Sequence, residues 1–212
     1  MRTMIVALTG IAALMLFQPT LAAGDADAGK GKAAACAACH GSDGNSAAAS
    51  FPRLAGLGEK YLLKQLVDIQ SGDRPIAEMT GLLTGLSEQD LADIAAFYDA
   101  QTPKLAGSID DAKSLTLGER VYRAGNLKTG VPACTGCHSP AGQGNAPAGY
   151  PMLGGQHADY LAKQLHAFRT GAHDEEDPSA RQNDVSKVMR GVAAQMNDQE
   201  IKAVANYISG LH

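Results

Sequence analysis

The fold of this chain depends on a short motif that occurs twice. Residues 36–46 read CAACHGSDGNS, and residues 134–144 read CTGCHSPAGQG. Each stretch contains C-x-x-C-H and continues into a loop with two glycines, and together the motifs use all 4 cysteines of the 212 residues. Any interpretation of the motif must therefore account for every cysteine of the protein.

The two motifs belong to a longer internal repeat. The segment FPRLAGLGEKYLLKQLVDIQSG, which starts at Phe51, aligns with YPMLGGQHADYLAKQLHAFRTG, which starts at Tyr150, at an offset of 99 residues. Further along, EMTGLLTGLSEQDLADIAAFY aligns with VMRGVAAQMNDQEIKAVANYI at an offset of 110 residues, so that Met79 corresponds to Met189. The two offsets differ by eleven residues, which places an insertion of that length in the second copy, around residues 174–177.

The residue pattern predicts helices and no sheet. In the first copy Leu62, Leu66 and Ile69 recur at helical spacing. Ser87, followed three residues later by Asp90, has the pattern of a capped helix start, and the second copy contains the same pattern. No segment alternates apolar and polar residues convincingly, so we expect an all-α protein.

We expect four consecutive segments along the chain. Residues 1–22 combine the positive charge of Arg2 with an apolar run and small residues before the end, which is typical of an export signal cleaved near position 22. The alternative, a membrane anchor, would need about 20 apolar residues. Two tandem domains then follow at residues 23–101 and 113–212. Residues 102–112 form the linker, because proline, glycine and serine interrupt any pattern there.

The overall charge argues against one class of partner. The chain has 22 acidic and 18 basic residues, and its formal charge at neutral pH is −4. Domains that bind nucleic acid carry a basic surface that neutralises phosphates. We therefore expect no nucleic-acid partner.

Several kinds of site compete for the C-x-x-C-H spacing. In an exported chain the cysteines could form two disulfides. A redox-active dithiol usually occurs in a βαβ setting, which this pattern lacks. A zinc site could collect two thiolates from each motif, but it would leave the following histidines unexplained. The spacing is the attachment signature of c-type haem, in which the thiols bond the haem edge and the adjacent histidine ligates the iron.

We therefore predict two covalently bound haem c groups, one in each copy of the repeat. The residues predicted to attach the haems and to provide the first axial ligands are Cys36, Cys39 and His40 in the first copy and Cys134, Cys137 and His138 in the second.

The second axial ligand of the first haem follows by elimination. After residue 22, the first copy contains one histidine, His40, and one methionine, Met79. A thioether is the familiar partner of histidine in electron-transfer haems, although a lysine of the same copy is an alternative ligand and Met79 could instead be core filler. In the second copy the repeat selects Met189 and leaves Met196 as core filler.

Two prolines at matching positions are candidates to orient the haem histidines. Ligand histidines usually donate a hydrogen bond from their other ring nitrogen, and proline fixes the local backbone while keeping its carbonyl. We expect Pro52 and Pro151 to provide these carbonyls, and the alternative is a simple turn. Histidines without a counterpart in the first copy are assigned surface or structural roles, and among them His157 could touch a haem edge.

Taken together, these segments resemble the dihaem cytochrome c4 family. The resemblance rests on KAAACAACHGSDGNS, FPRLAG, EKYLLKQL, EMTGLLTGLSEQDLADIAAFY, ACTGCHSP, LGGQHADYLAKQL and YISGLH, which occur in this order over nearly the whole chain after the export signal. It implies two class I cytochrome c folds related by a pseudo-twofold axis, with axial methionines in residues 78–81 and 188–191. The resemblance implies no function for the eleven-residue insertion in the second copy.

The resemblance also implies a periplasmic electron carrier. Its expected partners are redox proteins, with a quinol-oxidising complex as donor, a terminal oxidase as acceptor, and a possible peripheral association with the membrane. Two irons that both have histidine and methionine ligands leave no position for a substrate, so we expect no enzymatic activity. The alternative is a dihaem redox enzyme of the peroxidase or thiosulfate dehydrogenase type, which needs one open iron and a nearby acid or base.

Overall fold

The computed structural model describes residues 23–212, so the predicted export signal at residues 1–22 lies outside the described residues. In the described part the chain is helical and contains no β-strand, only the isolated bridges Asn126–Val131 and Asn145–Tyr150. None of its helices has the length and apolar character needed to cross a membrane. The all-α prediction is confirmed for these residues.

Within residues 23–212, four α-helices lie in the first copy of the repeat and five in the second. They are α1 (Ala26–Lys32), α2 (Ala37–His40), α3 (Glu59–Ser71), α4 (Glu88–Asp99), α5 (Ala112–Ala124), α6 (Thr135–His138), α7 (Ala158–His173), α8 (Val188–Ala194) and α9 (Asp198–Ser209). Short 3₁₀ helices occur at Ala33–Ala35, Ala77–Met79 and Ala146–Ala148. Residues 102–111 contain no helix, and α5 begins at Ala112, the last residue of the predicted linker.

Each copy folds around its own apolar core. In the first, α1 and α3 pack against α4, and in the second, α5 and α7 pack against α9. The buried residues that form the first core include Leu62, Ile94 and Tyr98, and those of the second include Val121 and Ile201. The two-domain prediction therefore agrees with the packing, while the exact boundary residues stay a prediction.

Both closing helices begin with the predicted capping pattern. At the start of α4 the Ser87 side chain accepts a hydrogen bond from the amide of Asp90, whose carboxylate accepts one from the amide of Ser87. Asn197 and Glu200 exchange the same two bonds at the start of α9. These bonds satisfy backbone donors that the first turn of a helix would otherwise leave unpaired.

The first and last helices of each domain approach one another at a glycine. A Cβ atom added to Gly29 of α1 would lie 2.0 Å from the carbonyl oxygen of Asp93 in α4. One added to Gly118 of α5 would lie 2.2 Å from the carbonyl oxygen of Ala203 in α9. No side chain fits at either distance, so glycine is required where the two backbones touch. The crossing fixes the end of α1, which leads directly into the first C-x-x-C-H motif.

The Gly29 contact predicts opposite effects for two neighbouring substitutions in α1. Gly29→Ala should lower the free energy of unfolding by about 1–3 kcal/mol, because α1 and α4 must move apart. Gly31→Ala is the matched control: a Cβ atom there meets nothing within 4 Å, so the gain in helix propensity should raise the free energy of unfolding by about 0.5–1 kcal/mol. Urea denaturation of the purified holoprotein measures both. Equal effects from the two variants would contradict the close contact.

Candidate functional site

The first C-x-x-C-H motif forms a single helical turn that buries its histidine. Cys36 is the N-cap residue of α2, and Gly41 follows the helix with a φ of 80°. A Cβ atom at Gly41 would lie 2.9 Å from the carbonyl oxygen of Asn45, so glycine suits this position on two grounds. The sharp exit of the chain leaves His40 at the end of the turn with only 7 % of its surface exposed.

The second motif has the same geometry with a different residue at its exit. His138 ends α6 and is also 7 % exposed. Ser139 adopts φ 68° and ψ 162°, a conformation that is essentially confined to glycine and costs about 1–3 kcal/mol for other residues. Hydrogen bonds hold it: the Tyr122 hydroxyl and the amide of Gly142 donate to its carbonyl oxygen at 2.7 and 3.2 Å, and the amide of Gln143 donates to its Oγ at 2.9 Å.

Both motif histidines are oriented by a backbone carbonyl. The Nδ1 atom of His40 lies 2.9 Å from the carbonyl oxygen of Pro52, and that of His138 lies 3.0 Å from the carbonyl oxygen of Pro151. A carbonyl only accepts, so Nδ1 carries the proton and the lone pair of Nε2 is free for a metal. Burial lowers the pKa of both histidines, although the carbonyl contacts act in the opposite direction. The neutral form that can ligate iron is therefore favoured.

A cavity in the first domain brings together the residues predicted for the first haem. Its volume is about 850 Å³. Cys36, Cys39, His40 and Met79 all line it, and Met79 ends the 3₁₀ helix Ala77–Met79 and is half-buried. Pro52 also lines it. The remaining wall is largely apolar and includes Leu54, Leu57, Leu62, Leu66, Leu83 and Ile94.

In the second domain the structure fixes the motif and the positions of the methionines. Cys134 is the N-cap residue of α6, and Cys137 lies within this turn directly before His138. Met189 is the second residue of α8 and is half-buried, and α8 packs against α7. Met196 is 4 % exposed within the apolar core, as expected for a core residue. The pairing of Met189 with His138 stays a prediction.

The state of the four cysteines bears on the alternatives to haem. All four are free thiols, and the part of the chain that the structure describes contains no group of three or more His, Cys, Asp or Glu residues placed to hold a metal ion. The thiols are therefore not gathered into one zinc site. Burial raises the pKa of Cys36, and it raises the pKa of Cys134 to about 11. A reactive dithiol needs the opposite shift.

The chemistry of the first cavity fits a covalently held haem. Two thiols lie at one position of the wall, a neutral histidine stands beside them, and a thioether lines the same space. The remaining wall is mostly hydrophobic, as a large flat apolar group requires. These residues can hold a haem without any change in their identity.

Side chains from both domains form a buried polar cluster that the sequence analysis did not identify. Arg74 donates hydrogen bonds to Gln65 of its own domain and to Tyr160 and Gln164 of the second domain. Arg181 donates to Gln164 of its own domain and to Tyr61 and Gln65 of the first domain. We call these six residues the arginine cluster: Tyr61, Gln65, Arg74, Tyr160, Gln164 and Arg181. All six line the first cavity.

The arginine cluster has pseudo-twofold symmetry, although its two arginines are not aligned in the sequence. The amide of Arg74 donates to the carbonyl of Asp68, and that of Arg181 donates to the carbonyl of Ala167, which lies 99 residues after Asp68. Arg181 therefore corresponds to Arg74 at an offset of 107 residues. Eight of the eleven inserted residues come before Arg181 and three come after it, which corrects the predicted placement of the whole insertion around residues 174–177.

Other contacts between the domains use main-chain groups. The side-chain amide of Gln156 accepts a hydrogen bond from the amide of Arg53 and donates one to its carbonyl, both at 2.9 Å. The Arg53 side chain, only 2 % exposed, donates to the carbonyl oxygen of Gly154. The Nε2 atom of His157 lies 3.0 Å from both the Oγ and the carbonyl oxygen of Ser46. His157 therefore has the structural role that the sequence analysis favoured.

Comparisons with known proteins match the chain over most of its length. A family model described as Cytochrome c matches it twice, at residues 26–102 and 115–212. Cytochrome c4 of Azotobacter vinelandii is 52 % identical over 90 % of this chain and 91 % of its own length. The crystal structure of reduced recombinant cytochrome c4 from Pseudomonas stutzeri is similar with a TM-score of 0.83 and 51 % identity, covering 90 % of this chain and 100 % of that one.

A more distant relative has a name that states a different role. A protein of Stutzerimonas stutzeri named thiosulfate dehydrogenase electron acceptor is 37 % identical over 96 % of this chain and 94 % of its own length.

Two buried tyrosines beside the motif cysteines predict different responses to the same substitution. Tyr122→Phe should lower the free energy of unfolding by about 0.5–1.5 kcal/mol, because it removes one of the two hydrogen bonds to the carbonyl of Ser139 and leaves the one from the amide of Gly142. Tyr98 is equally buried, but among the described residues its hydroxyl has no nitrogen or oxygen hydrogen-bond partner, so Tyr98→Phe should leave stability unchanged or raise it. Urea denaturation of the two holoprotein variants tests this. A loss in Tyr98→Phe as large as that in Tyr122→Phe would contradict it.

Proposed function

Because the chain belongs to the cytochrome c4 family and carries two covalently bound haem c groups, we propose that it carries electrons between redox proteins of the periplasm without catalysing a reaction of its own. Its fold of two tandem cytochrome c domains gives each domain one haem.

In this proposal each haem is bound through the two cysteines of its motif and ligated on both faces. Cys36 and Cys39 hold the first haem, and its iron takes Nε2 of His40 and the thioether of Met79. The observation that carries the proposal is that all four side chains line the same cavity. The second haem has the corresponding residues of the second copy: Cys134, Cys137, His138 and Met189.

The residues around each haem favour rapid electron exchange. A bound haem iron supplies one-electron redox chemistry. Pro52 and Pro151 hold the two histidines through Nδ1, so neither ring is free to rotate between oxidation states. The apolar wall of the first cavity excludes water, and a methionine ligand raises the potential at which iron is reduced. With a histidine and a methionine as ligands, neither iron would have a position left for a bond to the partner, and electron transfer would need none.

The partners in this proposal are a quinol-oxidising complex as donor and a terminal oxidase as acceptor, with peripheral association at the membrane surface and no role for nucleic acid. Weak redox encounters use small interfaces. Exposed apolar residues lie near both methionines: Leu82, three residues after Met79, is 54 % exposed, and Val188, which precedes Met189, is 42 % exposed. These positions support docking close to the haem edges.

The competing function is a dihaem redox enzyme of the peroxidase or thiosulfate dehydrogenase type. Such an enzyme requires one iron with a free coordination position and an acid or base within reach of the substrate. The repeat instead provides a matching methionine in each copy. The name of the Stutzerimonas stutzeri relative describes an acceptor of electrons from an enzyme, which supports the carrier function.

The proposal predicts the spectrum and the ligand binding of the purified holoprotein. We expect two haems per chain, both with the ferric absorption band of a sulfur-to-iron bond, and no binding of carbon monoxide when the protein is reduced. Haem quantification with a redox-titrated absorption spectrum measures these properties. One haem that lacks the band and binds carbon monoxide would overturn the carrier function and favour the enzyme.

The two methionine ligands predict substitutions that act on one haem at a time. Met79→Ala should remove one of the two sulfur-to-iron bands, lower the potential of the first haem and let it bind carbon monoxide, while leaving the second haem unchanged. Met189→Ala should do the same to the second haem alone. Met196→Ala is the control: it should lower the free energy of unfolding by about 2–5 kcal/mol and keep both bands. Retention of both bands in Met79→Ala would disprove its role as a ligand.

A further inference from the structure

The loop that carries Pro52 is held by the second domain directly after the proline. Both main-chain groups of Arg53 are bonded to the side-chain amide of Gln156, each at 2.9 Å. The Arg53 guanidinium adds a bond to the carbonyl oxygen of Gly154 at 2.9 Å. Arg53 and Gln156 are each 2 % exposed, so water cannot replace these bonds if they break.

The second domain also holds the loop on the side that precedes the proline. The Ser46 hydroxyl donates to the carbonyl oxygen of Phe51 at 2.7 Å. The carbonyl oxygen of Ser46 itself lies 3.0 Å from Nε2 of His157, and because a carbonyl only accepts, Nε2 carries the proton and donates it. Gln156 and His157 are consecutive, so one short segment of the second domain holds the loop before and after Pro52.

The matching loop of the second domain is closed by its own backbone. Asn145 and Tyr150 exchange two main-chain hydrogen bonds, at 2.9 and 3.1 Å, and form a bridge directly before Pro151. Asn145 lies 99 residues after Ser46, which is the offset that also relates the two prolines. The carbonyl of Asn145 accepts from its own loop, whereas the carbonyl of Ser46 accepts from His157 of the other domain.

The first domain cannot return this contact. The residues that lie 99 positions before Gln156 and His157 are Leu57 and Gly58. Leucine has no hydrogen-bonding side chain and glycine has no side chain at all. The loop of the first copy is therefore held from outside its domain, while the loop of the second copy is held from within.

The held loop provides two contacts to the ring of His40. The carbonyl oxygen of Pro52 lies 2.9 Å from Nδ1 of His40. The ring of Phe51 packs edge-on against the imidazole, with 6.1 Å between the ring centres. Such contacts fix the direction and the tautomer of a ligand histidine. A displacement of the loop would change both contacts together.

We propose that Gln156 and His157 are positioning residues for His40, so that the first iron site depends on the second domain while the second iron site does not depend on the first. The proposal rests on the proposed function only in that His40 ligates an iron. It gives the two similar domains different requirements, although their motifs and prolines match.

Two substitutions in the second domain test the proposal at the first histidine. Gln156→Leu introduces the residue found at the matching position of the first copy, and it removes both bonds to the main chain of Arg53. Exchange of the Nδ1 proton of His40 with solvent should become about tenfold faster or more, because the loop opens more often once two buried hydrogen bonds are lost. His157→Phe should act in the same direction through Ser46. Exchange at His138 should stay unchanged in both variants.

Nuclear magnetic resonance of the holoprotein labelled with ¹⁵N-histidine measures the exchange in the reduced state. In the oxidised state the haem methyl resonances report the direction of the ligand ring, and those of the first haem should shift in both variants while those of the second haem stay in place. Met79→Ala changes the surroundings of the first iron and so identifies which signals belong to the first haem. The covalent thioether bonds keep both haems attached, so every variant remains measurable.

A matched control separates positioning of His40 from a general loosening of the domain contact. Lys60 donates a hydrogen bond to the carbonyl oxygen of Pro147 in the second domain at 3.1 Å, away from the loop of Pro52. Lys60→Gln removes this bond between the domains. It should leave the exchange at His40 and His138 and both sets of methyl resonances as in the unaltered protein.

The contradicting outcomes are specific. Unchanged exchange at His40 in both Gln156→Leu and His157→Phe would overturn the proposal. Equal acceleration at His138, or the same acceleration in Lys60→Gln, would also overturn it, since the domain contact would then act as a whole. Carbon monoxide binding by the unaltered reduced protein would overturn the carrier function alone, because His40 ligates its iron in the carrier and in the enzyme alike.

Discussion

One hydrogen bond in each domain determines what the rest of the fold must provide: the contact from Nδ1 of the motif histidine to a proline carbonyl. It fixes the proton on one ring nitrogen, the lone pair on the other and the direction of the ring. For this contact to form, the motif turn and the proline loop must meet inside a small apolar core. The glycine crossings at Gly29 and Gly118 position the helices that precede the two motifs, and the capping boxes begin the helices that they cross.

Much of the candidate site could be predicted from the sequence because its signals are local to the motif and to the repeat. The motif itself predicts the cysteines and the histidine of each site. Met79 is predicted by elimination, because the first copy has no other candidate, and the repeat then predicts Met189 in the second copy. Local signals of this kind need no knowledge of tertiary structure. The two prolines could be predicted because both copies have one at the matching position and because ligand histidines need a hydrogen-bond acceptor for their other ring nitrogen. The structure contains both contacts, from His40 to Pro52 and from His138 to Pro151.

What the sequence could not show are the contacts that join distant segments. Arg181 and Arg74 stand at an offset of 107 residues, which neither aligned block shares, so only the matching backbone bonds to Ala167 and Asp68 reveal that they correspond. Gly29 and Gly118 look like ordinary helix glycines until the opposing carbonyl is seen 2.0 and 2.2 Å from the added Cβ. Ser139 adopts a backbone conformation that usually requires glycine. The hydroxyl that bonds its carbonyl oxygen belongs to Tyr122, 17 residues earlier in the chain.

Several contacts between the domains are directional hydrogen bonds. Gln156 bonds both main-chain groups of Arg53, His157 bonds Ser46, and the two guanidiniums of the arginine cluster donate to the same two glutamines. Apolar surfaces can shift past one another in small steps, whereas the hydrogen bonds of a connected network form and break cooperatively. The separation between the two redox centres is therefore protected from thermal drift. Since the probability of electron tunnelling falls steeply with distance, a fixed separation favours a constant rate of electron exchange between the two haems.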